Sequence, residues 1–177
     1  MDVLDEIEQA AQKRFLPIVG PVKGKLLSDL AKKHKPKRIL EIGVLVGYSS
    51  ILMARNCEAE IVGIEINAEI TEVARKNIIK AGLSDRIEIV VGDALTAIPK
   101  LKGKFDFVFI DAAKESYLLY LKLIEPKMNP SAIVVADNVK MFASAVENYL
   151  EYVRTSKKYK SKYHDFGYDA MEVSLKK

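Results

Sequence analysis

Five apolar segments of the chain end at or near an acidic residue, and these acids are its first candidates for chemistry. They are Glu41, Glu65, Asp93, Asp111 and Asp137. If the segments are parallel strands, their carboxyl ends lie at one edge of a sheet, where such sheets bind ligands. Carboxylates that converge on one edge repel each other unless a cation shares the site. The pattern therefore predicts a positively charged ligand, a metal ion, or both.

A loop with two glycines follows the first of these acids. Residues 38–50 have the sequence Arg-Ile-Leu-Glu-Ile-Gly-Val-Leu-Val-Gly-Tyr-Ser-Ser, which is typical of a buried strand, a loop and the start of a helix. Gly43 would let the backbone approach a ligand. Glu65 ends the next apolar run, 22 residues after Gly43, and a carboxylate there can accept hydrogen bonds from two ribose hydroxyls. These features predict a nucleotide-like ligand across the ends of two parallel strands.

A second group of polar residues follows later strands. Asp137 is followed by Asn138, and Asp111 is followed three residues later by Lys114. Two carboxylates and one carboxamide oxygen, completed by water, suit a hard cation such as magnesium, manganese or calcium. An acid at a strand end can also simply start the next helix, and for Asp93 both interpretations stay open. A lysine near a helix N-terminus is an odd structural choice, which favours a functional role for Lys114.

The elements that must position these residues alternate between strand and helix. Helical periodicity and short apolar runs give the boundaries. The predicted helices cover residues 3–15, 22–34, 48–56, 68–81, 114–125 and 141–154. The predicted strands cover residues 38–43, 61–65, 87–91, 105–111 and 132–137, with a terminal hairpin at 159–166 and 170–175. This order predicts an α/β fold with a mostly parallel seven-stranded sheet, an antiparallel C-terminal hairpin strand and helices on both faces.

The composition is that of a globular protein. The 177 residues are 49% hydrophobic and 29% charged, which suits a single domain over residues 1–177, with the helices of residues 1–35 packed on its core. A single cysteine, Cys57, cannot form an internal disulfide and fits a reducing compartment. No apolar run approaches 18 residues and the N-terminus is not that of a signal peptide. We therefore expect a cytoplasmic protein with no membrane partner.

Two basic clusters raise the question of nucleic-acid binding. The net charge is +4, and lysines and arginines concentrate within residues 32–38 and 154–162. Such patches can bind nucleic acid, but cations also favour helix C-termini. Both clusters precede predicted strands, so we expect them at the sheet edge opposite the acids.

Four segments together resemble the metal-dependent class I methyltransferases, specifically the catechol and caffeoyl-coenzyme A O-methyltransferase group. They are Val19-Gly-Pro-Val-Lys-Gly-Lys-Leu-Leu27, Glu41-Ile-Gly-Val-Leu-Val-Gly-Tyr-Ser49, Asp111-Ala-Ala-Lys-Glu-Ser-Tyr117 and Asp137-Asn-Val139. The resemblance extends over about residues 19–138, with a looser similarity in the tail. It implies a Rossmann-like fold and methyl transfer from S-adenosylmethionine to oxygen, assisted by a divalent cation, with magnesium favoured over manganese or calcium.

The resemblance also implies roles for single residues. Glu65 is similar to the residue that binds both ribose hydroxyls, and Asp93 and Ala94 lie where the family holds adenine. The implied contacts of S-adenosylmethionine are Val19, Glu41, Gly43, Gly47, Tyr48, Ser49, Glu65, Asp93, Ala94 and Asp111. The implied metal ligands are Asp111, Asp137 and Asn138, and Lys114 matches the residue proposed as general base.

The chain departs from the family pattern where the methyl acceptor binds. Ala113 stands where many relatives have an acid. Residues 139–142, Val-Lys-Met-Phe, run almost directly into a helix, whereas relatives often carry a substrate loop with a tryptophan there. The N-terminal region is also short. These differences predict an open acceptor site.

Three hypotheses follow for the function. The first is an O-methyltransferase acting on a catechol-like or other vicinal hydroxyl small molecule, and the second is a methyltransferase acting on a hydroxylated base in tRNA. The third, a nicotinamide-binding domain, fits less well because the loop lacks the spacing G-x-G-x-x-G. The oligomeric state stays open, with a homodimer through the first helix as one alternative.

Overall fold

Strands and helices alternate along the chain. The computed structural model describes residues 2–177, so residue 1 of the predicted domain lies outside the described residues. The helices are α1 (Val3–Arg14), α2 (Gly20–His34), α3 (Tyr48–Ala54), α4 (Ala68–Lys80), α5 (Ala94–Ala97), α6 (Tyr117–Ile124) and α7 (Glu147–Thr155). The strands are β1 (Arg38–Ile42), β2 (Glu60–Glu65), β3 (Ile87–Val91), β4 (Phe105–Ile110), β5 (Met128–Ala136), β6 (Tyr159–Asp165) and β7 (Ala170–Lys176). Short 3₁₀ turns cover Ile98–Lys100, Lys114–Ser116 and Glu125–Lys127.

The strands form one seven-stranded sheet in the order β3-β2-β1-β4-β5-β7-β6. The first five of these pair in parallel, and β7 pairs antiparallel with both β5 and β6. The predicted fold class is thus confirmed, including the antiparallel hairpin strand. The strand order reverses between β1 and β4, and the ends of strands at such a point form the usual ligand crevice of an open α/β sheet.

Alternate strand residues bury opposite faces of the sheet. Ile39 and Phe107 belong to a core with side chains of α1 to α4, whereas Leu40 and Val108 belong to a core with α5 to α7. Because helices cover both faces, the central strands are apolar at nearly every position. Each large side chain buried in this way contributes roughly 1.5–3 kcal/mol.

Most predicted elements agree with the structure to within two residues, and the exceptions are β5, α6 and α7. The helix predicted over residues 141–154 begins only at Glu147. The preceding residues instead form turns held by the β6–β7 hairpin, because Val139 N donates to Ala170 O and Met141 N donates to Asp169 Oδ1. The first turn of the predicted helix 114–125 is a 3₁₀ turn, and β5 starts four residues earlier than predicted. Among residues 2–177, no helix is long and apolar enough to cross a lipid bilayer.

Candidate active site

A cavity of about 600 Å³ opens at the carboxyl ends of the five parallel strands. Each of these strands contributes a residue that follows its last position, and the cavity collects most of the predicted site. The predicted residues that line it are Val19, Gly43, Tyr48, Ser49, Glu65, Asp93, Ala94, Asp111, Lys114, Asp137 and Asn138. Two others, Glu41 and Gly47, lie outside its lining.

The glycine loop is shaped by its contact with the end of β4. Gly43 has φ +92°, and a Cβ there would overlap the carbonyl oxygen of Asp111 and lie 2.8 Å from its carbonyl carbon. A side chain at this position would therefore push the loop away from Asp111. Gly47 has φ +85° and precedes the first residue of α3, where a left-handed backbone favours glycine. It packs against Ala74 of α4.

Glu65 both lines the cavity and closes the glycine loop. Its Oε2 accepts hydrogen bonds from Leu45 N at 2.9 Å and Val44 N at 3.2 Å, and its Oε1 accepts one from Asn67 N at 3.0 Å. The end of β2 is thereby tied to the loop after β1, because one carboxylate binds the backbone of both. The next residue, Ile66, is 72% exposed and lines the same cavity. The sequence analysis did not single out Ile66.

Glu41 lies beneath the loop and is fully buried. Its two carboxyl oxygens accept hydrogen bonds from Ser49 Oγ and Ser50 Oγ. Burial raises the pKa of Glu41 to about 8; the two serine hydrogen bonds oppose this shift, and the charges of Asp111 and Glu65 reinforce it. At neutral pH Glu41 is therefore largely protonated, with Ser49 between it and the cavity.

Asp93 caps a helix as well as lining the cavity. Its Oδ1 accepts a hydrogen bond from Leu95 N at 2.9 Å, so it starts the short helix α5. The structural interpretation left open by the sequence is therefore correct for Asp93, and the ligand-binding one is compatible with it. Ala94 is buried at the cavity wall beside it.

Asp111 and Asp137 lie close enough to affect each other electrostatically. Burial raises the pKa of Asp137 to about 6, the charge of Asp111 acts in the same direction, and Lys23 opposes both. Burial also raises the pKa of Asp111, against the charge of Lys114. Asp137 is buried and Asp111 is partly buried, and neighbouring carboxylates in such a setting attract an added cation.

Lys23 and Asp169 complete this cluster, and the sequence analysis missed both as site residues. Lys23 Nζ lies 2.6 and 2.7 Å from the two carboxylate oxygens of Asp137 and 2.9 Å from Asp169 Oδ2. Burial alone would lower the pKa of Lys23, but the charges and hydrogen bonds of the two aspartates outweigh it and raise that pKa. Burial would raise the pKa of Asp169, yet its hydrogen bond from Lys23 and further donors lower it.

A signal for Lys23 was present in the sequence. It precedes Leu27 by four residues and Ala31 by eight, so it lies on the buried face of α2. A lysine on an apolar helix face needs a buried partner, because an unpaired buried charge is costly. Asp169, in the turn between β6 and β7, gave no comparable signal.

Lys114 faces the cluster from the opposite wall. Its Nζ donates to Asp111 Oδ1 at 2.7 Å and to the hydroxyl of Tyr117 at 2.9 Å, and it lies 5.7 Å from the ring centroid of Phe142. The Tyr117 hydroxyl in turn donates to the carbonyl oxygen of Asp137 at 3.1 Å. These hydrogen bonds hold the Lys114 amine beside the N-terminal end of α6, at the wall of the cavity.

The oxygen atoms of Asp111, Asp137 and Asn138 suit a hard cation, provided that the cation can share Asp137 with Lys23. No group of three or more His, Cys, Asp or Glu side chains in the described part of the chain is arranged to hold a metal. The predicted set has two carboxylates and one carboxamide, all oxygen donors of the type that magnesium and calcium prefer. Because Lys23 contacts both oxygens of Asp137, an ion could bind Asp137 only by sharing one of them with Lys23.

Comparison with known proteins decides the family. A family model described as O-methyltransferase matches residues 1–162. The chain belongs to this O-methyltransferase family. The resemblance predicted from four sequence segments is thus confirmed.

Curated relatives in the family are named for small-molecule substrates. The chain is 42% identical over 124 residues to a catechol O-methyltransferase of Mycobacterium tuberculosis, covering 68% of this chain and 56% of that protein. It is 36% identical over 154 residues to catechol O-methyltransferase B of Danio rerio, covering 82% of this chain and 58% of that protein. The chain thus spans less than two thirds of the length of these relatives.

Solved structures of the family superimpose along nearly the whole chain. An O-methyltransferase from Bacillus cereus in complex with SAH matches with a TM-score of 0.90 and 27% identity, over 100% of this chain and 91% of that one. TomG from Streptomyces achromogenes, an O-methyltransferase in complex with SAM, matches with a TM-score of 0.87 and 29% identity, over 99% of this chain and 90% of that one. The fold is therefore that of the class I methyltransferases.

Proposed function

We propose that this protein transfers a methyl group from S-adenosylmethionine to a hydroxyl oxygen of a small molecule with vicinal hydroxyls, such as a catechol. The proposal rests on one observation. A single cavity joins a nucleotide-type half, with Gly43, Glu65 and Asp93, to an acidic half, with Asp111 and Asp137. Relatives named catechol O-methyltransferase and structural neighbours in complex with SAM or SAH support the same assignment.

The nucleotide-type half suits the methyl donor. Glu65 would accept the ribose hydroxyls while keeping its bonds to the loop, since a carboxylate has about four acceptor positions. Ile66 and Ala94 offer apolar surface for adenine beside it. At the other end, Ser49 would receive the donor's ammonium group, with the buried Glu41 behind it. A nearby positive charge favours ionised Glu41, so donor binding would lower its raised pKa.

The acidic half suits a divalent cation and the acceptor. Asp111, Asp137 and Asn138 would hold the cation, with magnesium favoured over manganese or calcium, and the bound ion would stabilise the acceptor oxygen in its deprotonated form. The acceptor oxygen then displaces the sulfur at the methyl carbon: the C–O bond forms as the C–S bond breaks, and a neutral thioether leaves. Lys114, in its neutral form, would take the hydroxyl proton at Nζ. Most of the rate gain comes from holding oxygen, methyl carbon and sulfur in line.

The acceptor is expected to be planar and to be held from one side. Met141, Phe142 and Tyr168 line the cavity and are 59%, 43% and 59% exposed. Apolar and aromatic surface beside oxygen ligands suits an aromatic diol. Residues 139–146 form turns and add no loop that covers the site. The site would therefore accept an acceptor ring with substituents on the side that faces away from Met141, Phe142 and Tyr168.

The other sequence-based hypotheses have less support. The basic clusters of residues 32–38 and 154–162 lie where β1 and β6 begin, which is the sheet edge opposite the cavity. The matched relatives and structures described above give the tRNA alternative no support, and a homodimer stays a prediction. We also propose that residues 1–177 act as one methyltransferase domain, because Val3, Ile7 and Leu27 of the N-terminal helices are buried in its core.

An assay with labelled S-adenosylmethionine tests the function. We expect transfer to catechol, loss of transfer in excess chelator, and recovery on adding magnesium. Asp137→Asn should lower the rate at least about 100-fold, since mutation of a group that binds the reacting centre removes several kcal/mol. Asp29→Asn, an exposed acid on α2, is the matched control. Transfer only to hydroxylated nucleosides would refute the small-molecule assignment, and full activity in chelator would remove the metal from the mechanism.

A further inference from the structure

Asp169 is the most enclosed acid at the cavity rim, although it lies in the short turn between two strands. It has no exposed surface. Its Oδ2 accepts hydrogen bonds from Lys23 Nζ at 2.9 Å and Asn138 Nδ2 at 2.7 Å, and its Oδ1 accepts one from Met141 N at 3.1 Å. Two separate segments of the chain, helix α2 and the turn after β5, therefore both present donors to this one carboxylate.

The contact with Asn138 has a consequence for the direction of its carboxamide. A carboxamide has a donor nitrogen on one arm and an acceptor oxygen on the other, whereas an ionised carboxylate only accepts. Asp169 can therefore bind only the nitrogen of Asn138, which leaves Oδ1 on the opposite arm. Within residues 2–177, no donor lies within hydrogen-bonding distance of that oxygen. The backbone of Asn138 is held as well, because its N–H donates to Asp137 Oδ1 at 2.7 Å.

We propose that Asp169 is a positioning residue that fixes the Asn138 carboxamide so that its oxygen, and not its nitrogen, is presented to the cation with Asp111 and Asp137. The inference rests on the proposed function, because it assumes the cation site. A carboxamide presented the other way round would offer two N–H donors, which repel a metal ion. Residues that orient metal ligands in this way commonly change metal affinity 10- to 100-fold when altered.

Lys23 lowers the electrostatic cost of placing Asp169 beside Asp137. The ammonium group lies between Asp137 and Asp169 and contacts carboxylate oxygens of both. It offsets one of the negative charges that would otherwise repel across the cluster. It also occupies Asp169 Oδ2, and Met141 N occupies Oδ1. Asp169 therefore accepts from protein donors on both oxygens, as Asp137 does, but only Asp169 also holds the Asn138 side-chain amide.

Manganese binding tests the role directly, without turnover. We would titrate Mn²⁺ into the protein saturated with S-adenosylhomocysteine and follow free Mn²⁺ by electron paramagnetic resonance. Asp169→Asn keeps the size of the side chain but can present either arm to Asn138, so we expect its Mn²⁺ Kd to rise at least about 10-fold. S-adenosylhomocysteine affinity, measured by calorimetry, should change less than about twofold, because Glu65 and the glycine loop are untouched. Asp85→Asn, an exposed acid in the loop before β3, is the control and should change neither.

The outcomes separate the inference from the function it rests on. Wild-type protein that binds Mn²⁺ and a folded Asp169→Asn variant that binds it equally well would overturn the positioning role alone. Wild-type protein that binds no Mn²⁺ would overturn the cation site and the inference with it. If the variant does not fold, the Asn138 side-chain amide of the wild-type protein is observed by ¹⁵N nuclear magnetic resonance. Amide protons that exchange slowly with water support the hydrogen bond to Asp169, and fast exchange refutes it.

Discussion

The buried carboxyl group of Glu41 should make the protein less stable as the pH rises from 5 to 7. In the folded protein, burial raises its pKa to about 8 from the ordinary value of 4.5. Between these two values the folded protein holds a proton that the unfolded chain has lost. The folded state therefore binds more protons, and its stability falls with increasing pH.

The size of the effect follows from the same two values. The full change from 4.5 to about 8 corresponds to at most about 5 kcal/mol of unfolding free energy, lost progressively across that interval. Over the experimentally convenient range from pH 5 to 7, the expected loss is roughly 2–3 kcal/mol. Since Glu41 is fully buried, solvent screening reduces this figure little.

Urea unfolding of wild-type protein and Glu41→Gln at both pH values measures the effect. Glutamine keeps hydrogen bonds to both serines but cannot ionise, so its unfolding free energy should lose about 2–3 kcal/mol less than wild type between pH 5 and 7. Other titrating groups act in both proteins and cancel in the difference. Glu60→Gln, an exposed carboxylate at the start of β2, should behave like wild type.

A result with parallel pH dependence in wild type and Glu41→Gln would refute the reasoning. It would mean that Glu41 is ionised in the folded protein, with a partner that compensates for burial. A second measurement links the group to the proposed donor. Under the proposed function, saturating S-adenosylhomocysteine brings an ammonium group to Ser49, whose hydroxyl contacts Glu41, so the difference between the two proteins should shrink when it is present.

Three further predictions concern the loop, the ribose contact and the lysine. Gly43→Ala should destabilise the protein by at least about 2 kcal/mol in urea unfolding, because a Cβ at φ +92° overlaps the backbone of Asp111; a loss below about 0.5 kcal/mol would show that the loop can move away. Glu65→Gln should weaken S-adenosylhomocysteine binding by about 10- to 100-fold in calorimetry, because a hydrogen bond to a charged group contributes about 1.5–3 kcal/mol. The methyl-transfer rate at donor saturation should change less. A large loss of rate with little loss of affinity would contradict the ribose role of Glu65. Tyr117→Phe removes the hydroxyl that accepts a hydrogen bond from Lys114. The methyl-transfer rate at donor saturation should therefore fall about 10-fold in single-turnover assays, while donor affinity is kept. An unchanged rate would contradict a role for Tyr117 in positioning Lys114.

The order of strands and helices was predictable because the sheet is buried on both faces. Residues 107–110 of β4 and 132–136 of β5 are continuous apolar runs that end at an acid, and such strand ends can be located from the sequence alone. The start of β5 was not predictable in this way. Residues 128–131 have the sequence Met-Asn-Pro-Ser, and a shift of pairing register lies between Phe105 and Phe107 of the neighbouring strand. Proline disfavours a regular strand and is accommodated at such irregularities, so the extension depends on β4.

The helix predicted over 141–154 was wrong in its first half for a related reason. Helical spacing continues through residues 141–146, but the turn between β6 and β7 offers these residues a competing hydrogen bond, with Asp169 accepting from Met141 N. Local periodicity cannot anticipate a contact with a residue 28 positions later. The same limit applies to the site. Acids that end strands could be placed at one rim from sequence, whereas Asp169 reaches that rim only through the docking of the C-terminal hairpin on Lys23.

The collection of acids at one edge of the sheet has a consequence for turnover. A sulfonium donor carries a positive charge that its thioether product lacks. An electronegative entrance therefore attracts the fresh donor over several ångströms and loses that hold once the methyl group has left. If the protein uses S-adenosylmethionine as proposed, its own field would favour the exchange of spent for fresh donor, and added salt should slow the capture of donor more than the departure of product.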